Sequence, residues 1–321
     1  MTRANAVRRA DAVTRANAGT RADAVTSGRI ALGAALATAG AGWLLRRRPP
    51  LGELAWARTN HRGEPVTLLA GPAVAIGATA AAAFAPDTST RARLAILVEG
   101  SASGVLGGYD DLTGTGRDRG FRGHLGALRR GEVSTGALKV MGIGAAGLVA
   151  GALVRDGALE RILAGGVVAG TANLVNLLDL RPGRALKAVA ALASYELVAG
   201  RSRHGQSGGA DAPAPPVPGL SAAVPRVSAA VPGISAAVLG AAAAALPADL
   251  GERAMLGDAG SNALGALVGL AAASRCSRRG LALRLGVLVA LTAASERVSF
   301  TAVIAGTPVL RQLDALGRRR R

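Results

Sequence analysis

The chain is a succession of apolar runs separated by short polar stretches. Nine runs, at about residues 30–45, 66–84, 92–108, 138–154, 162–178, 185–199, 233–247, 259–274 and 280–295, are built largely from Ala, Gly, Val and Leu. Few stretches alternate apolar and polar positions as half-buried strands do, so the pattern predicts helices. The runs lie near the ~20 residues that cross a bilayer, although several are shorter. The fold class expected is therefore an all-α polytopic integral membrane protein with about nine transmembrane helices.

The segments between and around the runs divide the chain further. Residues 1–28 repeat TRANAV, TRANAG and TRADAV and predict a disordered polar tail. Residues 29–299 would form one multi-helix membrane domain, interrupted at 201–232 by a low-complexity loop containing VPGLSAAVPRVSAAVPGISAAV. Residues 300–321 would form a cytoplasmic, amphipathic and basic segment on the membrane surface. Phe300, Val303, Ile304, Val309, Leu310, Leu313 and Leu316 would face lipid, and Arg318–Arg321 the anionic headgroups.

Composition supports a lipid setting. Half of the residues are apolar but only 2% are aromatic, and small residues let helices approach closely in membranes. The formal charge is +18, almost all of it from Arg. Nucleic-acid binding would want stacking aromatics among the basic clusters. The two Trp, two Tyr and three Phe lie mostly apart from them, so no nucleic-acid partner is expected. The charge fits a topological bias instead. With the first run entering the cytoplasm at Arg46, cytoplasmic segments hold 21 Lys and Arg against nine in the loops facing away. This puts the N-terminus outside and the C-terminus in the cytoplasm. The six Arg of the tail, up to Arg29, are the exception. The single cysteine, Cys276, excludes an intramolecular disulfide.

Three polar clusters sit at the ends of apolar runs, all on the cytoplasmic side of this topology. The first is GGYDD, ending in Asp110 and Asp111, followed by a Gly-rich basic loop with Arg117, Arg119, Arg122, Arg129, Arg130 and Lys139. Adjacent carboxylates repel unless a cation or proton intervenes. A hard divalent ion completed by phosphate oxygens would suit them, and the Arg side chains suit anionic groups; a merely solvated, charge-balanced loop is the other reading. The second is NLVNLLD, where Asn173, Asn176 and Asp179 recur three apart and share a helix face. They would bind a shared polar ligand or hydrogen-bond between helices. The third is MLGDAGSNALG, with Asp258 between Gly257 and Gly260. Asp258 or Ser261 would cap the following helix or contribute to a site at its N-terminus. Two further acids, Glu99 and Glu196, lie inside apolar runs, where an acid is functional, paired with a neighbouring Arg, or protonated.

GGYDD, FRGHLGALRRGEVSTGALK, NLVNLLD and LGDAGSNALG, in this order over roughly residues 50–320, resemble the polyprenyl-phosphate N-acetylhexosamine-1-phosphate transferases. The resemblance implies Mg2+-dependent transfer of a sugar-1-phosphate from a UDP-aminosugar to polyprenyl phosphate, with release of UMP. The setting implied is the cytoplasmic face of the plasma membrane, in cell-envelope glycan synthesis. By motif, Asp110 and Asp111 would help bind Mg2+ and deprotonate or position the lipid phosphate. Asn176 and Asp179, with Asn173, would contact the nucleotide sugar and organise the site. Asp258 would be a Mg2+ ligand together with Asp111, and Lys139 and Arg122 would hold phosphates. The chain departs from the family in Leu180-Arg181-Pro182-Gly183 after Asp179 and in having no His beyond Asp258; its three are His61, His124 and His204. Membrane lipids are the remaining partner expected, and the sequence leaves the oligomeric state, a homodimer included, open.

Overall fold

The structure, a computed structural model, describes residues 3–60, 62–114, 134–206 and 227–319. Its elements in chain order are α1 (Arg3–Arg47), α2 (Glu53–Trp56), β1 (Ala57–Thr59), β2 (Pro65–Thr67), α3 (Ala70–Ala83), α4 (Thr90–Thr113), α5 (Thr135–Val154), α6 (Ala158–Leu178), α7 (Arg184–Gln206), α8 (Val231–Leu250), α9 (Gly257–Arg275), α10 (Arg278–Ser295), α11 (Phe300–Gly306) and α12 (Pro308–Ala315). Each predicted apolar run falls largely within one helix, the second of them in the short α3. Local chemistry marks several starts: Ser89, Ser134 and Ser277 accept an amide hydrogen bond at the N-termini of α4, α5 and α10, and Pro232 opens α8.

The protein is membrane-embedded. Among the described residues four helices (the Arg21–Arg47 part of α1, α5, α6 and α8) are long and apolar enough to cross a bilayer. A fifth would be the pair α10 and α11, bent by 93°, while α3 is a shorter apolar helix. Val105, Val140, Met141, Ile162, Leu283 and Val289 are exposed on the bundle. Such large apolar side chains suit lipid tails better than water.

One helix organises the rest. α9 is buried on every side from Ala259 to Ser274, which marks a core helix. It packs against α3, α4, α6, α7 and α8. Close approach depends on small residues: a Cβ on Gly147 of α5 or Gly165 of α6 would press on the other's carbonyl oxygen at 2.9 Å. Because α9 has no solvent face, its terminal backbone groups need partners from other helices. At its C-terminal end Arg155 donates to the carbonyls of Ala273 and Cys276. Near that end Glu196, nearly fully buried, pairs with Arg275 and Arg284. Glu99 is buried within α4 and accepts from Ser103 at 3.0 Å.

Three expectations are corrected. The tail predicted as disordered is helical from Arg3 onward, continuous with α1. Its Ala and Arg are strong helix formers, but a six-residue repeat advances roughly 240° around a helix and so leaves no apolar stripe to reveal it. The run predicted from 66 begins instead in a short antiparallel hairpin, β1 with β2, pairing Ala57 with Thr67 and Thr59 with Pro65. Both ends of the loop predicted over 201–232 are helical instead, since α7 continues to Gln206 and α8 begins at Val231; residues 207–226 lie outside the described residues. The C-terminal segment forms α11 and α12, with Val303, Val309, Leu310, Leu313 and Leu316 exposed.

Replacing Arg155 by Met should leave the two carbonyls at the end of α9 without their donor. Unfolding in detergent should show a loss on the order of 2–4 kcal/mol. The exposed Arg279→Met should stay within about 0.5 kcal/mol of the wild type.

Candidate active site

α4 and α6 end, and α5 and α9 begin, at the same face of the bundle. This brings the predicted carboxylates together from distant parts of the chain. Lys139, one turn into α5, sits between two of them. Its Nζ donates to Asp110 Oδ2 at 2.7 Å and to Asp258 Oδ2 at 2.5 Å. The three side chains are 11%, 13% and 26% exposed, in the order Lys139, Asp110, Asp258, so water screens the contacts only partly.

Asp111 does different work. Its Oδ1 and Oδ2 accept the backbone N–H groups of Asp258 and Ala259, each at 3.0 Å. These are orphan amides of the α9 N-terminus, and α9 has no side-chain cap of its own. The cap predicted for Asp258 or Ser261 is therefore supplied by Asp111 from another helix. The contact needs a close approach: a Cβ on Gly107 would overlap the backbone of Asp258, and Gly257, at φ +62°, lies against the Asp111 carboxylate. The hairpin supports the same corner. Arg58 of β1 donates to the Asp111 carbonyl, and Met255 N–H donates to Thr67 of β2 at 2.9 Å.

The Asn-rich helix face divides between two partners. Asn173 Nδ2 donates to Thr292 Oγ1 of α10 at 3.0 Å. Asn176 Oδ1 lies 2.8 Å from Ser261 Oγ on α9, beside the site. Both contacts are interhelical hydrogen bonds, one of the two readings open from sequence. Asp179, at the C-terminus of α6, lines a small cleft with Asp249 and Glu252. Arg122, with Arg117, Arg119, His124, Arg129 and Arg130, lies outside the described residues.

Sequence reasoning passed over Asp249 and Glu252. Asp249 is buried and accepts the Gly183 N–H, fixing the turn after Asp179. Glu252, at φ +55°, accepts from Asn60 at 3.0 Å and pairs with Arg62 at 3.1 Å. A lone acid at the end of an apolar helix reads as a solvated last turn, and only the donors supplied by distant segments reveal otherwise.

The electrostatics follow from crowding. Burial, then the Asp258 charge, pushes the Asp111 carboxyl up to about 7, against the two amides that favour its ionised form. Burial, reinforced by Asp249, Asp258 and Asp111, raises Asp179 well above the usual carboxylate range. Burial also raises Asp258, with Lys139 opposing it. For Asp110 burial acts upward, but hydrogen bonds from Asp258 and Lys139 outweigh it and hold the carboxyl low. Carboxylates thus crowd around Lys139, and such crowding favours a bound proton or cation.

A Mg2+ ion here would need hard oxygen donors that converge on one point. Among the described residues no three His, Cys, Asp or Glu gather at metal-ligand spacing. Asp110 and Asp258 nonetheless aim hard oxygens at one point, which Lys139 Nζ occupies. That pair fits an ion bound by one or two carboxylates and completed by phosphate and water. Asp111, engaged at both oxygens by backbone amides, is geometrically a cap that holds Asp258 in place.

No protein-family model matches the sequence. Comparison with curated proteins likewise finds no match.

The raised carboxyls set a pH dependence. Between about 4 and 7 folded Asp111 keeps a proton that the unfolded chain has released. Stability should therefore fall as pH rises through this window, with Asp179 and Asp258 acting in the same direction. Thermal unfolding in detergent without divalent ions should give a lower midpoint at pH 8 than at pH 5, and Asp111→Asn should flatten the difference. Added Mg2+ should raise the midpoint more at pH 8 than at pH 5, because ion binding releases protons.

Proposed function

We propose that the protein is an enzyme that transfers a sugar-1-phosphate from a UDP-aminosugar to polyprenyl phosphate, releasing UMP, in cell-envelope glycan synthesis such as that of peptidoglycan. The observation that carries this reading is the convergence of Asp110, Lys139 and Asp258, from three helices, on one point. We read the long helices as nine spans, with the N-terminus outside and the C-terminus cytoplasmic. We read the face that carries the carboxylates as the cytoplasmic one of a plasma-membrane protein, a reading that the Lys and Arg excess supports.

In this reading a phosphate oxygen of the lipid attacks the β-phosphorus of the UDP-sugar. The bond from that phosphorus to the bridging oxygen breaks, and its electron pair leaves with UMP. Mg2+, when bound by Asp110 and Asp258, would supply neutralisation of the diphosphate charge. The remaining work belongs to the chain. Lys139 exchanges a carboxylate for a phosphate oxygen and holds it. Asp111 keeps the α9 N-terminus, and so the Asp258 carboxylate, in register with α4. Asn176 is held by Ser261 beside the nucleotide sugar, and Asp179 accepts hydrogen bonds from the same substrate. Catalysis of phosphoryl transfer is mainly such positioning and charge stabilisation. Arg122 would add a cation for the phosphates.

A second reading is a non-catalytic membrane relative that binds lipid phosphate or acts as a scaffold. The observation favouring it is that Asn173 and Asn176 are both engaged between helices.

A single assay separates the two. Purified protein with Mg2+, undecaprenyl phosphate and UDP-aminosugars should release UMP. Asp258→Asn and Asp110→Asn should each slow release by about 100-fold or more, whereas Asn173→Ala, whose amide is bonded to Thr292 of α10, should stay within about threefold. No release beside an active control, with lipid phosphate still bound, would favour the scaffold.

A further inference from the structure

The cleft beside Asp179 is walled by Asn60 and Val66 of the hairpin region on one side and by Leu180–Pro182 on the other. Its cavity is about 40 Å³, which is room for water and far below the roughly 300 Å³ of a small-molecule pocket. Two consecutive residues of the C-terminal segment fasten to its opposite sides. Arg318 donates to the Pro182 carbonyl at 2.9 Å, and Arg319 pairs with Glu64 at 2.9 Å. Arg62 returns a bond to the Arg319 carbonyl at 3.1 Å. Arg318 and Arg319 therefore bridge the Pro182 side of the cleft to the hairpin side.

The attachment is polar. α11 and α12 bury no residue. Asp314 is the fastening point, taking Arg184 at 2.9 Å and Arg318 at 2.7 Å. Lys187 adds bonds to the carbonyls of Leu313 and Asp314. A segment held by charge contacts without a buried apolar face belongs to the low-stability part of a fold. Its links also compete with free anions. Arg184, Arg318 and Arg319 carry guanidinium groups whose fork matches phosphate as well as carboxylate.

We propose that residues 308–319 form a latch over the Asp179 cleft, fastened by Asp314, and that a phosphate-bearing ligand opens it by competing for the arginines that Asp314 and Glu64 now hold. The latch controls access to the cleft and does not depend on the reaction proposed above.

The test reads accessibility rather than turnover. Cys276 is replaced by Ser, and a reporter is placed in the cleft by Ala254→Cys, which is 7% exposed in the intact protein. Labelling by a charged, membrane-impermeant thiol reagent should be slow, and at least tenfold faster once Asp314→Asn is added. Inorganic pyrophosphate should accelerate labelling of the intact latch more than sodium chloride at matched ionic strength, and should add little to Asp314→Asn. Equal rates with and without Asp314→Asn, or equal effects of pyrophosphate and chloride, would overturn the proposal. Hydrogen exchange at the amides of 309–316, in the chain without a reporter, gives an independent reading. Asp314→Asn should speed that exchange at least tenfold while α9 stays unchanged, and no change would equally overturn the proposal.

Discussion

A buried helix whose ends cannot reach water is the constraint on which this structure depends. α9 lies inside the bundle along most of its length, so its first amides and last carbonyls must find partners in protein. Asp111 serves the amides of Asp258 and Ala259, and Arg155 serves the carbonyls of Ala273 and Cys276. An acid at the N-terminus and a base at the C-terminus also match the helix dipole. The two caps come from α4 and from the end of α5, which ties three helices into one register. The candidate site is a consequence of that register. Once Asp111 grips the α9 N-terminus, its neighbour Asp110 is carried toward Asp258, and Lys139 fills the space between them.

Charge then explains why the corner suits a cation. Asp110, Asp111, Asp179, Asp249 and Asp258 lie close enough for several to raise one another's proton affinity. Lys139 answers two of them, and Asp249 is committed to the Gly183 amide. A surplus of buried carboxylate is expensive unless protons or metal ions balance it. On this account the protonated carboxyls and a Mg2+ complex are alternative ways of balancing the same charge.

Much of this was legible in the chain. The apolar runs located the long helices because a span of small apolar residues has few other uses. Asp110, Asp111, Asp179 and Asp258 stood out because acids at the ends of such runs need a reason. The rest depends on distance in space. Asn173 and Asn176 share a helix face, yet one meets Thr292 and the other Ser261, a split that no spacing rule contains. The hairpin at 57–67 has strands of three residues, too short for alternation to register. Asp249, and the pairing of Asp314 with Arg184, join segments far apart in sequence, where no local pattern links donor to acceptor.

The central claim is that Asp110 and Asp258 form one divalent-cation site. Titration of Mn2+ into the detergent-solubilised protein, followed by its electron paramagnetic resonance signal at neutral pH, measures this most directly. The account predicts binding that Mg2+ displaces and that Asp110→Asn or Asp258→Asn each weakens at least tenfold. Binding unchanged in both variants, or no displaceable binding by the folded wild type, would contradict it.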